Sequence, residues 1–291
     1  MWAIGVVILG IVAAAATLWA FYERKKHLRL EHSLRITLGT PQWQSALHAL
    51  LHRLKQQEAA THAQQAFLSA LSHELKTPLT ILLGYLDTLV QGAYKDPEVL
   101  RPFLAKALAQ VHRMNALVQD TLLLAQIESG GWSLQPEPTP LYPLLEEVWG
   151  ELEPLWGAKR ISLRWPPHHL QDLTVEADPF ALRKVFKNLL ENAILYSPEG
   201  TIITVSWTYQ SKDHRVTLSI HDEGMGIPPE HLPHIFDRFY RVDKSRSRQS
   251  GGTGLGLSIV KELLEAHGER ITVESTVGRG TTFSFSLPAC A

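Results

Sequence analysis

The sequence predicts a multidomain protein: an N-terminal transmembrane helix, an antiparallel helical hairpin that two chains complete as a dimeric four-helix bundle, and a mixed α/β domain. Three observations carry this expectation. Trp2 to Tyr22 contains no charged residue, leucines recur at three- and four-residue steps between Ala63 and Ile127, and beyond Gly130 and Gly131 β-like runs alternate with helical ones.

Composition narrows the class before any motif is considered. The chain has 291 residues, 45% of them hydrophobic, which suits folded units rather than disorder. Its 28 basic and 29 acidic residues leave a formal net charge of −1, so no global field draws it to nucleic acid. The one cysteine, Cys290, rules out an intramolecular disulfide and a Cys-based metal cage, and a reducing compartment fits best.

The apolar run 1–22 matches one helical crossing of a bilayer's hydrocarbon core, which takes roughly twenty residues. Glu23, Arg24, Lys25, Lys26, His27 and Arg29 follow at once. This basic cluster belongs on the cytoplasmic side, so everything after it is expected in the cytoplasm. A cleaved signal peptide is the rival reading, with Ala13 to Ala16 near a cut, but no positive region precedes the apolar run. Residues 23–60 mix Leu, His, Gln and basic residues in a loosely helical pattern interrupted by Gly39, Thr40 and Pro41, and are expected as a solvated linker.

Residues 61–130 carry two helical stripes: Leu68, Leu71, Leu75, Leu79, Leu82 and Leu86, then Leu100, Leu104, Leu108, Val111, Met114, Val118 and Leu122. Gln91 to Pro97 breaks them into antiparallel neighbours. A lone helix pair buries such stripes poorly, so a homodimer is expected. Residues 131–291 form the α/β part, with β-like runs at Ile161 to Trp165, Thr201 to Tyr209, Val216 to His221 and Thr281 to Leu287. Helices are expected at Leu141 to Trp156, Pro179 to Tyr196 and Leu255 to Ala266.

Several residues stand out as chemistry. At about 100° per residue His73 lies about 200° from Leu71 and from Leu75, so its imidazole points away from the stripe. Glu74 is adjacent, Thr77 sits one turn on, and Pro78 removes a helical hydrogen bond and should loosen the helix there. A solitary exposed histidine in a chain with 14 of them is usually plain surface, so this one needs further support. Asn188 and Asn192 share a helix face at i, i+4. Asp222, Gly224 and Gly226 follow a β-like run as D-x-G-x-G. Gly251, Gly252, Thr253, Gly254, Leu255 and Gly256 open a helix, where free backbone N–H groups and the helix dipole favour phosphate.

FLSALSHELKTPLT (Phe67 to Thr80) resembles the phosphoacceptor box of two-component sensor histidine kinases, and the other strings follow in that family's order: KNLLENAILYS, DEGMGIP, IFDRFYR, GGTGLGLSI and GRGTTF. The resemblance runs from about Ala63 to Pro288 and is to the phosphate-sensor-like class, with a HisKA phosphoacceptor domain and a GHKL-type ATP-binding domain. It implies an α/β two-layer sandwich for 131–291, ATP and Mg²⁺ as cofactors, and a response regulator as partner. It also implies a single-pass protein of the bacterial inner membrane with its catalytic part in the cytoplasm. His73 would be the phosphorylated nucleophile, Glu74 its orienting base, and Thr77 a support for the reverse phosphatase reaction. Asn192 would ligate Mg²⁺ beside Asn188, Tyr196 would pack on adenine, and Asp222 would accept from the adenine amine, with Gly224 and Gly226 admitting the base. Arg241, Lys244 and Arg246 would meet phosphate charge from a lid. Gly252, Gly254, Leu255 and Gly256 would line the phosphates, and Thr281 would support the pocket.

Two features qualify the resemblance. Leu195 stands where many relatives carry a basic residue, so a phosphate contact there falls to Lys184, Lys187 or a lid cation. ATP-hydrolysing machines of the same nucleotide fold place a glutamate one turn before the metal-binding asparagine; Asn188 occupies that position, which favours transfer to His73 over hydrolysis, although Glu191 is near. No GxxxxGK[ST] is present, so a P-loop is excluded. A catalytically silent scaffold is the remaining alternative, opposed by the intact His73, Glu74, Asn192 and Asp222.

Overall fold

The computed structural model describes residues 24–25, 41–167, 170, 172–242 and 252–290. The expected membrane helix, most of the basic cluster after it, Lys244, Arg246 and Gly251 lie outside the described residues. Among the described residues, no helix is long and apolar enough to cross a membrane. The chain divides into two units after Leu68, and the second, Ser69–Ala291, carries every site residue considered below.

Helix α1 runs Pro41–Val90 without interruption, so helix begins well inside the segment expected as a linker. Pro41 is suited to a first helical position, where no N–H is needed. The helix also passes through Pro78, which is buried. Around it, threonine hydroxyls back-bond to carbonyls four residues earlier: Thr77 to His73, Thr80 to Lys76 and Thr88 to Gly84. The turn uses Gly92 at φ 123, and α2 (Pro97–Glu128) starts from Asp96, whose carboxylate accepts from the Glu98 N–H at 2.9 Å.

The two hairpin helices bury different faces. Ala107, Leu117, Asp120, Leu123 and Leu124 of α2 are covered within the chain. The face picked out by periodicity is largely uncovered: Leu68, Leu79 and Leu86 on α1, and Leu104, Leu108, Val111, Val118 and Leu122 on α2. On α2 this row keeps a four-three spacing, and Asn115 fills the step between Val111 and Val118. Such a seam has the pattern of a helix that meets another helix.

The α/β part has a five-stranded sheet in the order β2-β4-β5-β7-β6. Its strands are β2 (Ser162–Arg164), β4 (Ile202–Gln210), β5 (Arg215–Asp222), β6 (Thr272–Thr276) and β7 (Gly280–Pro288). Only β2 and β4 run parallel. A separate antiparallel pair joins β1 (Glu137–Pro140) to β3 (Thr174–Ala177). Strand patterning along the sequence does not pick out β1, β3 and β6: the first two are four residues long, one containing two prolines, and β6 is an edge strand whose alternation is weak.

Helices α3 (Leu141–Glu151), α4 (Glu153–Lys159), α5 (Pro179–Tyr196) and α6 (Gly256–Ala266) supply the second layer. The single helix expected over Leu141 to Trp156 is thus split at Leu152. Strict alternation buries Val216, Leu218 and Ile220 of β5 and Phe283, Phe285 and Leu287 of β7 on the helical side. Phe186 of α5 meets Phe285 with ring centroids 6.5 Å apart. The opposite face carries paired side chains: Thr217 with Ser286 at 2.9 Å, Ser219 with Ser284 at 2.8 Å, and His221 Nδ1 with Thr282 at 2.9 Å. One apolar and one polar face make this a two-layer sandwich, as the resemblance implied.

Candidate active site

His73 is exposed on α1 and, with Lys76, Thr77, Thr80 and Ile81, lines an open groove of about 300 Å³. The Thr77 hydroxyl donates to the His73 carbonyl at 3.3 Å. Glu74 does not stand free beside the imidazole: Arg241 Nη2 donates to its Oε2 at 3.2 Å, and Arg113 of α2 lies 4.0 Å from the same oxygen. Arg241 has only 8% of its side chain exposed and also donates to the Gly252 carbonyl, which Arg113 approaches at 3.4 Å. One cation therefore links the residue after His73 to the glycine-rich segment.

A second link involves Asp120, which sequence reasoning did not single out. Its carboxylate accepts from Lys184 Nζ at 2.7 Å, and the Thr253 hydroxyl approaches its other oxygen at 3.5 Å. The signal was available, because Asp120 shares a buried face with Leu117 and Leu124, and a carboxylate inside an apolar row needs a partner. Of the cations proposed to offset Leu195, Lys184 is paired with Asp120, Lys187 lies 3.6 Å from Glu151, and Arg241 is paired with Glu74.

The nucleotide side of the site is built on α5. Asp178 caps it, accepting from the Ala181 N–H at 3.0 Å, with Pro179 at the first helical position. Asn188 is buried, its Oδ1 3.2 Å from where a Cβ on Gly256 would stand, and its Nδ2 has no partner among the described residues. Asn192, one turn on, is half-buried and its amide makes no hydrogen bond among the described residues. A spare amide oxygen above an orphaned buried amide suits an oxygen-ligated cation with attached phosphates, so these residues fit Mg²⁺. Burial pushes the neighbouring Glu191 carboxyl up, against the pull of Lys187 and Lys184.

Tyr196 ends α5 and is 43% exposed as a residue, and burial raises its phenol. Asp222 is buried at the end of β5, and its Oδ1 accepts from Gly224 N–H at 2.8 Å and Thr281 N–H at 3.3 Å. Burial pushes this carboxyl above the usual range, with those two N–H groups opposing. Oδ2 accepts from none of the described residues. Thr281 is fixed by Ser275, their hydroxyls 2.9 Å apart.

Glycine is required at two of these positions. Gly226 has φ +69, and a Cβ there would lie 2.2 Å from the Thr276 carbonyl oxygen. Gly254 has φ +74, with the Phe239 backbone 2.9 Å from the same hypothetical atom. Gly224, Gly252, Leu255 and Gly256 complete the arc: Tyr196 O lies 2.8 Å from a Cβ placed on Gly224, and Leu255 N–H donates to the Thr253 hydroxyl at 3.2 Å. The structure thus brings Asn188, Asn192 and the glycine-rich segment to one end of the sandwich, with the Asp222 turn against Tyr196. Through Arg241 it brings that end to Glu74.

A phosphoacceptor-type hairpin joined to a nucleotide-binding sandwich is what the fold and site define. Residues 63–130 match the His Kinase A (phospho-acceptor) domain, and residues 177–291 match the Histidine kinase-, DNA gyrase B-, and HSP90-like ATPase family. The chain belongs to the two-component sensor histidine kinases. It is 36% identical over 242 residues to the sensor histidine kinase WalK of Bacillus subtilis (strain 168), an alignment covering 83% of this chain and 39% of that protein. It is also 36% identical over 241 residues to the sensor protein kinase WalK of Staphylococcus aureus, covering 82% of this chain and 57% of that one. The chain therefore spans about two-fifths to somewhat over half the length of these relatives.

Among solved structures, the histidine kinase AdeS of Acinetobacter baumannii superposes with a TM-score of 0.59 at 26% identity, covering 75% of this chain and 98% of that one. Full-length ShkA in complex with AMPPNP gives a TM-score of 0.57 at 28% identity, covering 77% of this chain and 46% of that one.

Proposed function

We propose that this chain is a protein-histidine kinase that uses ATP to phosphorylate His73 and passes the phosphoryl group to an aspartate of a response regulator. The observation that carries this reading is the 3.2 Å bond from Arg241 to Glu74, which joins the rim of the nucleotide site to the residue after His73. A hydrolase of the same fold would need a water-activating glutamate at position 188, which is asparagine.

The chemistry follows from the side chains. A neutral imidazole is nucleophilic near neutral pH, and Glu74 on its other nitrogen would orient it and take up its proton. Asp222 Oδ2 would accept from the adenine amine, with Tyr196 against the ring. Asn192, beside Asn188, would hold Mg²⁺, which would supply positive charge to offset that of the phosphates. Gly252, Gly254, Leu255, Gly256 and the lid cations Arg241 and Lys244 would surround the phosphates, with Thr281 supporting the base end. Binding of AMPPNP by ShkA supports a nucleoside triphosphate as substrate.

The groove of His73, Lys76, Thr77, Thr80 and Ile81 is the surface on which the response regulator would dock, and Thr77 would serve the reverse, phosphatase, reaction. The uncovered seam on α1 and α2 supports a homodimer. The charge-free run 1–22 and the basic residues after it support a single-pass anchor in the bacterial inner membrane, with the catalytic part cytoplasmic.

The test is incubation with Mg²⁺ and γ-labelled ATP. Wild type should acquire an acid-labile label that His73→Gln lacks. Release of free phosphate at equal rates by both, with no label on the chain, would replace this reading with an ATPase.

A further inference from the structure

The last carbonyls of a helix have no donor within it and carry the negative end of its dipole. At the C-terminus of α5 that deficit falls on the residues that meet the base. Ser197 N–H returns to the Ala193 carbonyl at 3.2 Å, but the carbonyls beyond need outside partners. Lys159 supplies them. Its ammonium donates to the carbonyl oxygens of Ile194 at 2.9 Å, Leu195 at 2.7 Å and Ser197 at 3.0 Å, which uses all three of its protons.

Lys159 is the last residue of α4, and its own backbone is pinned. Arg160 follows in the left-handed region at φ 53, Gly200 N–H donates to the Lys159 carbonyl at 2.9 Å, and Ile161 is buried. The end of α5 in turn presses on the turn after β5, since the Tyr196 carbonyl oxygen stands 2.8 Å from a Cβ placed on Gly224. Gly224 N–H holds Asp222 Oδ1, so a shift at the end of α5 is passed to the carboxylate that faces the ligand.

We propose that Lys159 is a positioning residue for the base end of the nucleotide site, clamping the last turn of α5 so that Tyr196 and Asp222 hold their spacing. This rests on the reading that the Asp222 turn receives adenine. Burial lowers the amine's proton affinity, with Glu199 opposing. Because its three hydrogen bonds fall on the end of α5 that carries Tyr196, the loss of Lys159 should be felt by the base and not by the triphosphate.

The experiment compares Lys159→Met and Lys159→Arg with wild type in the full chain, held in detergent. Affinities for ATP and AMP are measured by calorimetry, and KM and kcat by autophosphorylation. Lys159→Met should weaken ATP and AMP by the same factor, on the order of tenfold. KM for ATP should rise to match, kcat at saturating ATP should hold, and Lys159→Arg should recover part of the loss. A lower melting temperature with both affinities unchanged would make Lys159 a structural staple and overturn the proposal. Loss of ATP affinity without loss of AMP affinity would overturn it too. If Lys159→Met does not fold, Lys159→Gln is judged by the same ratio of ATP to AMP. A wild-type chain that bound no ATP would instead sink the kinase reading and this inference with it.

Discussion

The Lys184–Asp120 pair is asymmetric, and its two halves should not be equally costly to remove. Asp120 has 10% of its side chain exposed and Lys184 has 27%. Breaking a buried pair from one side costs about 3–5 kcal/mol when the surviving charge stays buried and alone. Among the described residues, Lys184→Met leaves the Asp120 carboxylate with only the Thr253 hydroxyl at 3.5 Å, so a loss of about 3 kcal/mol is expected. Asp120→Asn leaves an ammonium that can turn toward water and an amide oxygen that still accepts from it, so the loss should be about 1 kcal/mol. Native-state hydrogen exchange reads this locally, because opening of α2 around Leu117 to Leu124 exposes those amides. Their protection should fall roughly 100-fold in Lys184→Met and roughly fivefold in Asp120→Asn. Equal losses, or a larger one in Asp120→Asn, would refute the argument from burial.

Three further outcomes are expected. Asp222→Asn keeps an oxygen for Gly224 and Thr281 but removes a buried charge, so the chain should melt no lower than wild type at pH 7 while ATP affinity, read by calorimetry, drops about tenfold or more. The sign with pH follows from burial: the folded pKa is raised, so the folded state binds the proton more readily than the unfolded one. Asp222 should therefore contribute a decline in stability as pH rises from the ordinary aspartate value through the raised one, and Asp222→Asn should flatten the profile by that share while the contribution of Glu191 remains. Gly226→Ala places a Cβ 2.2 Å from the Thr276 carbonyl at φ +69, for about 3 kcal/mol of strain and clash, and calorimetric melting of the sandwich should fall by roughly 6–12 °C. Asn115→Leu makes the α2 seam wholly apolar, so sedimentation should show tighter self-association, and cross-linking should show more than one register; a single unchanged register would remove Asn115 from that role.

Much of this architecture was legible in the residues, because the signals were local. The helical run from Pro179 to Tyr196 placed α5 to the residue, and the β-like runs placed β5 and β7 within a residue at each end. The uncovered stripes on the hairpin were visible as stripes. What the sequence did not disclose depends on contacts between distant segments. Arg241 was expected as a phosphate ligand, yet it rests on Glu74, 167 residues away. Lys159 resembles any exposed lysine at the end of a short helix until α5 is brought alongside it. The loosely helical pattern of residues 23–60, interrupted at Gly39, Thr40 and Pro41, did not disclose that one unbroken helix runs from Pro41 into the hairpin.

The polar face of the sheet has a consequence for what the nucleotide site can tolerate. The pairs Thr217–Ser286, Ser219–Ser284 and His221–Thr282 are successive rungs, each joining β5 to β7, and the next pair along is Asp222 opposite Thr281. Sliding either strand by one residue would turn every side chain to the wrong face and carry Thr281 away from the carboxylate it supports. The rungs thus act as a ruler that measures off the position of Asp222 from the far edge of the domain. Serines and threonines on the polar face of a sheet are ordinarily the most replaceable residues in a strand; here a change on that half-buried face would be read, further along the strand, as a displaced Asp222 carboxylate.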